Sequence, residues 1–101
     1  MSAGVPTAVS RAAFALTGVP ARTARRLSAR TRTVVYRAGL ADGRSVVIKL
    51  YAATARRNAF TESAAIRAVA GHVPVPALIG YGHVPGNEAT ALVTADLGPP
   101  P

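Results

Sequence analysis

Asp42-Gly43 stands between two runs in which side chains alternate in character, residues 33–38 and 45–51. Glycine after aspartate supplies the positive φ that a tight hairpin turn needs, so the spacing predicts two antiparallel strands joined there. In the second run, Val46-Val47-Ile48-Lys49-Leu50-Tyr51, alternation puts Val46, Ile48 and Leu50 on one face. Val47, Lys49 and Tyr51 take the other. Of the twelve basic residues eleven are arginine, so Lys49 is the only lysine in the chain, and it sits inside a β-branched strand. Two placements satisfy its ammonium. It can snorkel from an exposed strand face, or it can meet a carboxylate or an anionic ligand.

A partner is available. Residues 58–70 are alanine-rich and free of glycine and proline, and read as a helix. Its apolar stripe is Ala59, Ile66, Val69 and Ala70, and Glu62 and Ser63 fall within that stripe. An inward-facing glutamate can pair with Lys49. It can also complement the helix dipole, if Asn58 is the N-cap; a cap at Thr54 weakens that alternative.

The charge of +8 on 101 residues points toward polyanions, nucleic acid or acidic membrane surface. One small domain with a modest core is expected at this length. There is no cysteine, which excludes disulfides and cysteine metal sites. No apolar run approaches a membrane span, so no membrane partner is expected and the expected location is cytoplasmic. Residues 1–32 hold six arginines and no acid, which matches a transit peptide and equally an arginine-rich chain. A short helix is predicted over residues 8–17, ended by Gly18 and Pro20. Further strands are predicted over 77–84 and 89–95, with a turn at Pro85-Gly86-Asn87. Glycines in the first of these mark a bulge or a close backbone approach. His72 and His83 read as surface residues, and Asp96 as exposed.

Val46-Val47-Ile48-Lys49 resembles the V-A-I-K strand of protein-kinase-like folds, with Val47 in the alanine's place. The wider pattern is similar to the aminoglycoside phosphotransferase family over about residues 24–99: the DGRSVVIKLY hairpin, VPVPALIGYG after the helix, and ALVTADLGP in the place of the hinge. The resemblance implies an N-terminal nucleotide-binding lobe. Lys49 would grip ATP phosphates, Glu62 would orient Lys49, and Val47 would line the adenine pocket. Ala95 and Leu97 would offer hinge backbone to the base, and the face carrying Val47 and Tyr51 would look toward the nucleotide. Residues 21–27 would be the first strand, and residues 28–32 the loop over the phosphates. That loop has no glycine, a departure from the kinase pattern; Arg30 and Arg32 stand there, as phosphate ligands or as solvated surface.

Phosphoryl transfer also needs a catalytic-loop aspartate and Mg²⁺ ligands, which the family carries beyond the hinge. This sequence has no His-x-Asp, and after Glu62 only Glu88 and Asp96 are acidic. The expectation is therefore a small lobe inactive alone, from a truncated frame or fragment, or one that works with a missing C-terminal lobe or partner chain. The expected fold is α+β: about five antiparallel strands with one packed helix and a short N-terminal helix. Residues 1–20 would be a helical extension, 21–97 the lobe and 98–101 a truncated hinge. The competing class is a small basic module binding nucleic acid, with weak nonspecific polyanion binding as its mildest form. Aromatics are few and the arginines are spread along the chain, which argues against a single-strand binder.

Overall fold

Five antiparallel strands form one open sheet in the order β1-β2-β3-β5-β4, with a helix against each face. The computed structural model describes residues 4–69, 77–86 and 88–96. Helix α1 is Thr7–Thr17, followed by β1 (Ala21–Ala29), β2 (Thr33–Leu40) and β3 (Ser45–Tyr51). A 3-10 turn, Ala53–Ala55, leads into α2 (Arg56–Val69), and β4 (Leu78–His83) and β5 (Thr90–Ala95) follow. The α+β class is as the sequence predicts.

The β2–β3 hairpin turns at Asp42-Gly43, with Gly43 at φ 92°. Asp42 Oδ1 accepts the Arg44 N–H at 3.0 Å and Oδ2 accepts Arg44 Nε at 2.7 Å, so the turn is closed by its own side chain. Strand β1 runs two residues further than its arginine-broken pattern suggests. Ser28 and Ala29 belong to it, and the connection to β2 shrinks to residues 30–32, tied by Arg30 N–H to the Thr33 carbonyl at 2.8 Å. Helix α2 begins at Arg56, two residues before the predicted run, with Asn58 inside the helix and Thr54 in the 3-10 turn, so neither occupies the expected capping place. Gly71, Pro74 and Pro76, expected to stop this helix, and His72 lie outside the described residues.

Alternation divides the core into two layers. On one face Ala38, Leu40, Val46, Ile48, Ala91 and Val93 pack against Val9, Ala12 and Ala13 of α1, all buried. On the other, Tyr51 and Leu92 pack with Ala55 and Ala59, flanked by Ile66, Leu78 and Tyr81. Strand β5 is covered on both sides, and Thr90–Thr94 are all buried. Helix α1, whose role the sequence leaves open, is thus one wall of the core. It ends at Gly18 (φ 77°), whose N–H returns to the Phe14 carbonyl at 2.9 Å.

The α1 wall sits close. A Cβ built on Gly80 would stand 2.9 Å from Leu16 Cβ and 3.0 Å from the Leu16 carbonyl oxygen. The β4–β5 register also shifts between Leu78 and Gly80. Both meanings of a strand glycine, bulge and close approach, meet at this one residue.

Candidate functional site

Lys49 and Glu62 meet. Lys49 rises from β3 on the α2 face, and its Nζ donates to Glu62 Oε1 from the seventh residue of α2. Each side chain is 34 % exposed, so the pair stands at the rim of the second layer and not within it. Glu62 lies past the first helical turn, which removes dipole complementation as its main reason for being there.

A third residue completes the group. Tyr51 Oη donates to Glu62 Oε2, so both carboxylate oxygens are taken by β3 side chains two positions apart. Tyr51 is 4 % exposed beneath α2. It is therefore not on the surface open toward a nucleotide, as the resemblance implies, but anchors the glutamate from below. The signal was in the sequence: Lys49 and Tyr51 share a strand face, and one carboxylate has two acceptor oxygens. Ser63, next along α2, is 1 % exposed and satisfies itself by donating to the Phe60 carbonyl at 2.8 Å.

The electrostatics follow from this geometry. Partial burial alone would raise the Glu62 carboxyl, but the hydrogen bonds from Lys49 and Tyr51 and the lysine charge outweigh it and hold the group below its ordinary value. Burial, then the hydrogen bond to Glu62 and its charge, push the Tyr51 phenol up. A lowered carboxyl contributes stability present above its unfolded value and lost as pH falls through the folded one. A raised phenol contributes stability present below its unfolded value, near 10, and lost as pH rises beyond it. The expected profile of urea midpoints is flat through neutrality and falls at both ends. Tyr51→Phe should lower stability by about 1–2 kcal/mol at neutral pH and make the alkaline limb shallower. An alkaline limb unchanged by the substitution would show that the phenol does not hold Glu62.

Helix α2 packs on β3, β4 and β5. Toward β1 and β2 the same sheet face is only half covered: Val35, Arg37 and Val47 are half-buried there beside Lys49. Val47 sits in register between Arg37 on β2 and Thr94 on β5. This shelf is closed at one end by a cluster the sequence did not disclose. Asp96 Oδ2 accepts from Ser45 Oγ at 2.7 Å and lies 2.9 Å from Arg37 Nε, an ion pair by distance whose N–H is not aimed at the oxygen. The Asp96 side chain is 9 % exposed, so the exposed placement expected for it is wrong; the arginine opposite draws it in. Ala95 is half-buried, its N–H donating to the Ala77 carbonyl at 2.9 Å, and the Asp96 N–H reaches the Ser45 carbonyl at 3.3 Å. Neither N–H is free to serve a base. Leu97, the other hinge candidate, lies outside the described residues. His83 is exposed on the edge strand, as expected.

No protein-family model and no curated protein sequence matches this chain.

Among the described residues no helix is long and apolar enough to cross a membrane.

Proposed function

We propose that this chain binds a nucleoside triphosphate, as the N-terminal lobe of a small-molecule kinase similar to the aminoglycoside phosphotransferases. The observation that carries this reading is Lys49 on a central strand, held by Glu62 from the packed helix and standing beside a half-covered shelf. An ammonium fixed in this way is prepaid in entropy as a phosphate ligand. Val47 and Val35 supply apolar shelf surface suited to a base. The residues present suit the nucleotide better than its metal. Glu62 is occupied by Lys49 and Tyr51, Asp42 by Arg44, and Asp96 by Arg37 and Ser45. Glu88 lies in the β4–β5 connection. No two carboxylates converge on the shelf among the described residues, and no Mg²⁺ site is assigned to this chain.

Titration calorimetry with ATP tests the reading. Lys49→Ala should weaken binding by about 10–100-fold, the range of a charge-assisted hydrogen bond, with the fold retained because the pair is partly exposed. Glu62→Gln should weaken it less, since the lysine remains but loses its orientation. ATP binding that Lys49→Ala leaves unchanged, or no saturable ATP binding by the wild-type chain, would remove the proposal.

A further inference from the structure

We infer that the β1 edge of the sheet is a docking surface for the phosphate backbone of duplex DNA. Strand β1 is an edge strand, and most of its residues are exposed. Arg22, Arg25 and Arg26 on the strand and Arg30 and Arg32 in the connection to β2 are all exposed. None of the five has a carboxylate partner among the described residues: the ion pairs there join Arg37 to Asp96, Arg44 to Asp42 and Lys49 to Glu62. Three of the four acids in the chain are thereby spent on other cations, and the fourth, Glu88, sits beside β5 and β4 at the other side of the sheet. Five of the eleven arginines therefore lie along this one edge, although the arginines look scattered in the sequence.

Register gives this edge its shape. Arg25 pairs with Arg37 and Arg26 with Tyr36, so the two neighbouring arginines leave the strand on opposite faces. A thin edge with cations on both faces fits between the two phosphate rows that border the B-DNA major groove, roughly 12 Å wide. The major groove of A-form RNA is too narrow for it. Tyr36 is half-buried against the core, and no exposed aromatic stands among these arginines to stack an unpaired base. Contact would be to backbone, without sequence preference. The surface is separate from the nucleotide proposal and does not depend on it.

Fluorescence anisotropy of a labelled mixed-sequence DNA duplex, with salt varied from about 50 to 200 mM, tests this. If each of the five arginines meets a phosphate, the slope of log K against log salt should be about −4.5, from about −0.9 per phosphate neutralised. Two double variants remove equal charge: R30Q/R32Q from the edge and R57Q/R67Q from exposed positions on α2. The first should flatten the slope by about 2 and the second should leave it unchanged. On the wild-type chain, DNA should also protect the β1 arginines, and not Arg57 or Arg67, from an arginine-selective dicarbonyl reagent read by mass spectrometry. Equal effects of the two variants would overturn the inference, showing a response to net charge alone. So would equal binding of duplex RNA or single-stranded DNA. A third overturning result is R22Q/R25Q/R26Q binding with the wild-type slope while self-associating, because the arginines would then only guard an open strand edge.

Discussion

Ala13→Glu should strongly destabilise the domain. Ala13 is fully buried where α1 meets the sheet, among Val9, Ala12 and the β2, β3 and β5 side chains of the same layer. A carboxylate there has neither room nor a partner, and removing a charge from water without one exceeds the effect of most single substitutions, about 4 kcal/mol or more. A chain of this length has about 5–15 kcal/mol in total. Ala15→Glu is the matched control, since Ala15 is exposed on the same helix and should move stability by about 0.5 kcal/mol or less. Circular dichroism with urea unfolding reads both. An Ala13→Glu chain that unfolds cooperatively at the wild-type midpoint would mean that α1 is a detachable appendage and the sheet keeps its core without it.

The second large effect is at Gly80, and its neighbour Gly82 supplies the contrast. Gly80→Ala places a methyl 2.9 Å from Leu16 Cβ and 3.0 Å from the Leu16 carbonyl oxygen, and backbone cannot rotate away as a side-chain tip can. Either α1 shifts or β4 does, with an expected loss of about 1–3 kcal/mol. At Gly82 the nearest atom is Leu16 Cδ2 at 3.4 Å, the far end of a flexible side chain. Gly82→Ala should therefore be neutral, or stabilising by about 0.5–1 kcal/mol, because alanine loses less freedom than glycine in a strand. Thermal unfolding of the two variants should separate them in sign or by several degrees. Equal midpoints would show that α1 does not rest on β4 as described.

The difference between these glycines was not legible in the sequence, and the reason is physical. Period-two alternation and an Asp-Gly turn are local signals, and they placed the β2–β3 hairpin and its facing correctly. They also put Lys49 and Glu62 on inward faces, which sufficed to bring the pair together. Which helix covers which sheet face is a long-range matter. The pattern of Val9, Ala12, Ala13 and Leu16 declares an amphipathic helix without naming its seat. Arg37 and Asp96 likewise lie far apart in sequence, and only the β2-β3-β5 order brings the end of one strand beside the exit of another. Strand β1 was ambiguous for a third reason: an edge strand has no need of an apolar face, so its arginines erase the alternation that would identify it.

The seating of α1 has a consequence for the time course of folding. The helix is made before the strands it rests on, and Arg11 donates to a carbonyl 74 positions later, at Pro85. At about 5–20 residues per second, the finished helix waits roughly 4–15 s for its seat. The hairpin of β2 and β3 can close long before that, with one face still bare. A waiting helix faced mainly with alanine is a poor adhesive, because methyl groups gain little from casual contact and much from a close fit. Small side chains on α1 thus defer adhesion until β4 and β5 arrive, and nascent chains halted before β5 should remain open to protease.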